Sequence, residues 1–355
     1  MAVYTYVPEY QVVLSRRCAF TCGYCNFPQT PSPFPPSPKQ FRRTLRLAAR
    51  LGATQITLTA GEGIEGVREI QSTVRYFGFP KWSTYLQALC QSVLDFRGPR
   101  LLFPVLDVGR LPFPDLRLLA ETASSARLLL EAADDSLLQK TAHEGAPQKS
   151  MEERTAALSE LGRLHIPTIT GIRVGIGESP ESWALAAKRI TGIHRRYRHI
   201  QQMVLVPFQP VPYSSMSFCP PASPELVHEA TAVVRRELDA SIPLTVEFCD
   251  RPSDAQAFLA AGSTDFGCVR LGSTDRVNVD APLAISDLQH QLQQHEHTLE
   301  ARLPLSPQFL SQNEIAPKQK AHLELYLNAP GRYTLPITDL TPPFNFSVEA
   351  PHPAS

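Results

Sequence analysis

Arg17-Cys18-Ala19-Phe20-Thr21-Cys22-Gly23-Tyr24-Cys25-Asn26-Phe27 follows directly on the apolar run Gln11-Val12-Val13-Leu14-Ser15. The run reads as a buried β-strand. The segment after it reads as a loop carrying three thiols at CxxxCxxC spacing. Cysteine thiolates are the usual ligands of iron–sulfur clusters. Three of them cover three irons of a cubane and leave the fourth open to a substrate or cofactor. The alternative is zinc, which takes four ligands, commonly in paired CxxC or Cys/His spacings. No second close pair stands near these three. Cys90, Cys219, Cys249 and Cys268 are scattered, and Cys90 shares a helical stripe with Leu86 and Leu89, so it reads as core.

Outward from this loop, short β-branched runs alternate with amphipathic stretches. Ser37-Pro38-Lys39-Gln40 has the Ser, Pro and Gln of a helix start, and Phe41, Leu45, Ala48 and Ala49 continue at helical spacing. Strands are expected over 55–59, 101–106, 126–131, 167–174 and 200–206, with a possible seventh over 244–248. Helices are expected over 82–93, 116–123, 151–164, 179–194 and 223–240, with a short one from Ser253. Residues 289–297 read as an extension of a further helix.

Six βα units predict an α/β fold with a parallel sheet and right-handed crossovers. The form expected is a partial (β/α)6 TIM-like barrel with a C-terminal extension, its functional residues at the C-terminal ends of the strands. No GxGxxG follows the first strand, which argues against an open dinucleotide-binding sheet. The expected division is a barrel domain over 1–283 and an extension over 284–355. The stretch from Tyr333, rich in Pro, Thr, Asn and Ser, reads as a loosely ordered tail.

The 355 residues suffice for a sizeable core, and the formal net charge is zero. That balance gives no footing for nucleic acid or an anionic membrane as the main partner. No apolar run is long enough to span a bilayer. The N-terminus lacks the basic and apolar regions of a signal peptide, so the expected location is cytoplasmic. In a reducing cytoplasm a tight cysteine trio points to metal binding, not disulfides.

The CxxxCxxC loop, with Tyr24 before its third cysteine, resembles that of the radical S-adenosylmethionine (SAM) superfamily. Ala60-Gly61-Glu62 resembles the superfamily's Gly-Gly-Glu, which receives the methionine amino group of SAM, with Ala60 in place of the first glycine. Gly171-Ile172-Arg173-Val174-Gly175-Ile176-Gly177-Glu178 resembles its GxIxGxxE element near the adenine. The resemblance implies a [4Fe-4S] cluster on Cys18, Cys22 and Cys25. It implies SAM as second cofactor, bound by Tyr24, Gly61, Glu62, Gly171 and Gly175. Glu131 ends an apolar strand, where a carboxylate is costly to bury unpaired, and is a candidate for the SAM ribose or amine. Arg154 shares a helix face with Leu158 and Leu161. It suits the methionine carboxylate, with a structural salt bridge as the competing reading. Gln209 is a candidate for the adenine or the substrate.

Residues 15–27, 58–62, 128–131 and 171–178, with Ser263-Thr264-Asp265-Phe266-Gly267, together resemble the deazaflavin (FO) synthase subunit 1 family. Cys268, Thr264 and the Ser-Arg-Arg before Cys18 depart from the family pattern. The resemblance implies a lyase acting through a 5′-deoxyadenosyl radical. Its substrate would be 5-amino-5-(4-hydroxybenzyl)-6-(D-ribitylimino)-5,6-dihydrouracil, converted to FO with loss of ammonia. A reducing electron donor is implied, as is a functional partner, FO synthase subunit 2 (CofH), which makes the adduct. Asp265 is the candidate catalytic residue, for substrate binding or proton transfer, against a loop-capping aspartate. Two other readings stay open. One is the partner-type subunit or a menaquinone-pathway radical SAM enzyme; the other is a non-catalytic zinc- or cluster-binding interaction protein.

Overall fold

The computed structural model describes residues 2–98, 101–247, 255–278, 285–305 and 309. The expected tail from Tyr333 lies outside them. The first strand, β1 (Val3–Ser15), is longer than the apolar run suggests. Pro8 and Glu9 interrupt the hydrophobic pattern, but Glu9 is paired inside the sheet and the strand runs through.

Eight more strands follow: β2 (Gln55–Ala60), β3 (Phe103–Asp107), β4 (Ser125–Arg127), β5 (Thr168–Val174), β6 (Ile200–Pro207), β7 (Leu244–Val246), β8 (Cys268–Ser273) and β9 (Thr298–Ala301). The helices are α1 (Pro38–Arg50), α2 (Arg68–Tyr76), α3 (Trp82–Leu94), α4 (Phe113–Leu119), α5 (Met151–Arg163), α6 (Pro180–Tyr197), α7 (Pro224–Glu237), α8 (Ala255–Ala260) and α9 (Ile285–Gln293). α1 starts where expected. The Ser37 side chain accepts from the Gln40 amide while Gln40 reaches back to Ser37, with Pro38 in the first turn, satisfying donors that a bare helix end leaves open.

All neighbouring strands are parallel, in the order β7-β6-β5-β4-β3-β2-β1-β8, with β9 beside β1. The sheet is the parallel, helix-covered partial barrel expected, but it extends past six units. β8 lies on the far side of β1, and β9 pairs with Val3–Tyr6. Their short polar sequences carry no apolar run, so they read as loop; position beside a long strand makes them strands. α2 was also not legible, because it buries only Ile70 and Val74.

Alternation sets the two faces of the sheet. Leu14, Ile56 and Leu58 point to the helices and pack with Phe41, Leu45, Tyr85 and Leu86 in the main core. The inner face of β1 and β2 is polar. Gln55 Nε2 donates to Glu9 Oε1 at 3.3 Å, the Thr57 hydroxyl donates to Glu9, and Gln11 Nε2 donates to Thr59 Oγ1 at 3.2 Å. Across the lumen, Leu129, Ile169, Val204 and Val206 form a small apolar wall. The barrel's edges meet at their N-terminal ends, where the Thr264 amide donates to the Leu244 carbonyl at 2.8 Å.

Candidate functional site

The cysteine loop leaves the C-terminal end of β1 and is clasped to the end of β2. The Gly61 amide donates to Ser15 at 3.3 Å and the Ala19 amide to Glu62 at 2.9 Å. A side chain at Gly61 would place its Cβ 2.0 Å from the Arg17 carbonyl oxygen, so only glycine allows this approach. Beyond Cys18 the loop is held by backbone bonds from Thr21 to Gly145, from Gly23 to Ala142 and from Met216 to Gly23. Arg16 organises its base: the buried guanidinium donates to Thr30, Asn26 and Asp275 at 2.6–2.7 Å and lies over the Phe27 ring. No local signal marks this role, since an arginine after an apolar strand reads as surface.

Cys22 is buried, and Cys18 and Cys25 are partly so. Among the described residues no three His, Cys, Asp or Glu gather on a point that could hold a single metal ion. Thiolates that each bind a different iron of a cubane need no such convergence, so the donor set suits a cluster and not a zinc ion. Burial pushes the Cys22 thiol up to about 11, and Lys149 opposes the rise. Cations beside the loop fit an anionic cluster.

Under the loop lies a buried centre of five charges. Arg154 Nη1 and Nη2 donate to Glu62 Oε1 and Oε2, each at 3.0 Å. The Arg110 amide donates to Glu62 Oε1 at 3.1 Å. Lys149 Nζ donates to Glu131 Oε1 at 2.7 Å and stands 3.4 Å from Glu62 Oε2. Arg173 Nε donates to Glu131 Oε2 at 2.9 Å, and its guanidinium lies 4.2 Å from the Tyr24 ring centroid. Burial alone would raise both carboxyls. For Glu131 the charges of Lys149, Arg173 and Arg154 outweigh it and hold the group well below the usual range. For Glu62, Lys149, Arg154 and the Arg110 amide do the same.

Two carboxylates thus face three cations, leaving positive charge in excess. The Nε of Arg154 is buried without an acceptor among the described residues. A zwitterion with a carboxylate and an ammonium, such as the methionine end of SAM, fits such a centre.

Glu131 is held in the left-handed region at φ 73°, a conformation a non-glycine residue adopts only when its surroundings fix it. β4 ends early at Arg127, and Glu131 returns as an isolated bridge to Ile172. The expected strand over 126–131 is therefore two pieces, the second turned to aim a carboxylate inward. Tyr24 is buried, and its hydroxyl lies 3.3 Å from Nε2 of the buried His143.

The structure brings Cys18, Cys22, Cys25, Tyr24, Gly61, Glu62, Glu131 and Arg154 together. Gly175 lies in the turn after β5 at φ 92°, where its amide and that of Ile176 donate to Glu178 at 2.8 Å. Gly171 is glycine for a packing reason: a Cβ there would meet the Val204 carbonyl oxygen at 1.8 Å. Gln209 is exposed on the loop after β6.

Asp265 is not brought to this site. It precedes β8, at the N-terminal end of the strands, about 30 Å along β1 from the cysteine loop. Its carboxylate accepts from Thr5, Gln202, the Gly267 amide and both Arg302 Nε and Nη2. The loop-capping reading of Asp265 matches this geometry. The main residue that sequence reasoning missed is Lys149, in a short 3-10 turn before α5; its one signal was adjacency to the helix carrying Arg154.

No family model matches the chain. The chain is 31% identical over 324 residues to the 7,8-didemethyl-8-hydroxy-5-deazariboflavin synthase of Methanothermobacter thermautotrophicus, covering 90% of this chain and 97% of that protein. Among solved structures, HydG, a maturase of the [FeFe]-hydrogenase, superposes with a TM-score of 0.67 at 12% identity, over 84% of this chain and 65% of that one. Methylornithine synthase (PylB) gives 0.59 at 14% identity, over 84% and 83%. These two likenesses bear on the fold.

Proposed function

The chain belongs to the 7,8-didemethyl-8-hydroxy-5-deazariboflavin (FO) synthase family, and from that premise we propose how its residues divide the work. The protein is a radical SAM lyase that takes a [4Fe-4S] cluster and SAM and forms FO. When bound, the two cofactors supply a carbon-centred radical that removes a hydrogen atom from the substrate. The substrate is the hydroxybenzyl–ribityliminouracil adduct. Having lost that hydrogen atom, it closes its ring, loses ammonia and gives up one further electron and a proton, so that SAM serves overall as the two-electron oxidant.

Cys18, Cys22 and Cys25 hold the cluster. Glu62 and Glu131 accept from the amino group of SAM, and the excess cation of Arg154, Lys149 and Arg173 receives its carboxylate. Gly61 stands with Glu62 on the methionine side, Tyr24, Gly175 and the turn after β5 line the adenosine side, and Gln209 stands at the rim. Held by the protein's own dipoles and charges, these groups need no rearrangement when the cofactor arrives. Burial of the centre keeps water from a reactive carbon.

Among the described residues no helix is long and apolar enough to cross a membrane, and a cytoplasmic location suits a reduced cluster. The adduct comes from a separate radical SAM subunit (CofH), and an external reductant charges the cluster.

The observation that carries this reading is the cysteine loop standing over a buried Glu62–Arg154–Glu131–Lys149 centre in a chain similar to FO synthase along nearly its whole length. The test is anaerobic reconstitution, then incubation with dithionite, SAM and the preformed adduct. FO is the expected product. SAM cleavage without FO would move the assignment to the partner-type or another radical SAM reaction. One bound zinc and no cleavage would refute an enzyme of this class.

A further inference from the structure

One layer below the charged centre, the lumen holds a second set of charges that the cofactors do not use. Arg127 on β4 pairs with Glu247, just past β7, at 2.7 Å. Arg270 on β8 lies 3.8 Å from Glu9 on β1. Both guanidiniums are thereby matched. Asp107, the last residue of β3, is in register with Thr59 of β2. Its neighbours Leu106 and Val108 pack outward into the main core, so its carboxyl faces inward. Among the described residues no hydrogen bond or ion pair reaches it; its charge is felt by Arg127, Glu9, Glu247 and Glu131. A partly enclosed carboxylate without a donor is costly. Among the described residues of this lower layer, it is the charge left for a ligand to satisfy.

The layer also says which chemistry would satisfy it. Three carboxylates, Glu9, Asp107 and Glu247, stand against Arg127 and Arg270, so an anionic ligand would be repelled. Beside Asp107 the β1–β2 wall is hydroxyl and amide: Thr57, Thr59, Gln11 and Gln55. Such a wall suits an uncharged chain of hydroxyls. In the proposed reaction the bond changes fall on the two rings and the atoms attached directly to them, none on the ribityl carbons or hydroxyls, so the rings must stay at the rim beside the cysteine loop. The chain that does not react is then the part that descends into the lumen.

We propose that Asp107 is a substrate-contacting specificity residue, accepting hydrogen bonds from the hydroxyls of the ribityl chain. This rests on the FO synthase reading for the identity of the polyol. Burial, with Glu9, Glu247 and Glu131 adding to it against Arg127, raises the Asp107 carboxyl to about 6. The ionised acceptor is therefore present at neutral pH and lost as the pH falls through about 6.

The test is equilibrium titration of the reconstituted protein with two probes, 5-amino-6-(D-ribitylamino)uracil and the polyol-free 5,6-diaminouracil. Asp107→Asn should weaken the first by roughly tenfold to a hundredfold, the range for a hydrogen bond to a charged group. It should change the second less than twofold. Wild-type affinity for the ribityl probe should drop below pH 6, and that of the variant should stay flat. Asp107→Asn removes an unpaired charge, so it should unfold no earlier than wild type; Asp107→Ser provides a second variant of the same sign. Equal loss for both probes, no loss for either, or no wild-type binding of the ribityl probe overturns the proposal. If the ribityl-specific loss is seen but the adduct yields no FO, the reaction is wrong and the polyol contact stands. If FO forms and the two probes respond alike, the contact alone is wrong.

Discussion

Arg154 and Glu62 meet fork to fork, Nη1 to Oε1 and Nη2 to Oε2, both at 3.0 Å and both buried. One comes from the first turn of α5 and the other from the loop after β2, so this pair ties two βα units together beneath the cysteines. Removing one partner leaves the other charge stranded. Arg154→Met is therefore expected to cost about 3–5 kcal/mol of stability and to weaken SAM binding. Glu62→Gln should do both to a smaller extent. Because the residues share one network, the double variant should lose less than the sum. Urea unfolding and SAM titration of the reconstituted protein measure this; an Arg154→Met protein as stable as wild type would remove the pair from the account.

Cys18→Ala, Cys22→Ala and Cys25→Ala should each lower iron content and abolish SAM cleavage. Cys90→Ala should keep both, with a loss of about 1 kcal/mol from the core vacancy, because Cys90 is fully buried on α3 among apolar neighbours. Iron assay and cleavage rate decide. Full cleavage by Cys22→Ala would refute the cluster ligands.

Gly61→Ala tests the clasp between β2 and the cysteine loop. The new methyl would lie 2.0 Å from Arg17 O and 2.6 Å from Cys18 Cβ. The loop must shift, and the cluster with it. We expect cluster occupancy to fall several-fold and the remaining clusters to be more easily lost to oxygen. Gly66→Ala is the control, since nothing lies within 4 Å of a Cβ there. Equal cluster retention in the two variants would show the approach to be slack.

Acid should weaken the fold before Glu62 and Glu131 respond. Burial lowers His143 to about 4 and His199 to about 3. Unfolded, each binds its proton near 6.5. Between these values the unfolded chain holds more protons, so stability is full above about pH 6.5 and declines as the pH falls toward 4. For His143 the loss is on the order of 3 kcal/mol. Unfolding free energy against pH should show this slope, and His143→Gln should flatten part of it. A flat profile for wild type between pH 7 and 5 contradicts the buried neutral state.

Arg302 closes the opposite end of the barrel on Asp265. Arg302→Ala should lower stability by about 3–5 kcal/mol, yet leave the rate of SAM cleavage per bound cluster unchanged. A fall in that rate at constant iron content would bring Asp265 back into the chemistry.

Much of this was legible from residue types alone. The cysteine spacing, the Ser-Pro-x-Gln helix start and the β-branched runs are local signals, and the structure places the thiols, Glu62, Glu131 and Arg154 in one centre. What was hidden depends on distant partners. Lys149 and Arg16 look like surface cations until a fold buries them against Glu131 and Asp275. β8 and β9 lack an apolar run and become strands only beside β1. Asp265 illustrates the converse: a carboxylate in a family-like segment reads as a catalyst, while its partners Arg302 and Thr5 lie 37 and 260 residues away in sequence.

β1 bears the cysteine loop, yet two of the three strands beside it, β8 and β9, lie at the other end of the described chain. Cys18, Cys22 and Cys25 are made well before β8 and β9, so one flank of their strand stays open until residue 301 has left the ribosome. Iron loading onto a nascent chain would meet a loop whose base is not yet fixed. Topology thus orders maturation: β8 and β9 must be made before the strand that carries the cysteine loop is flanked on both sides.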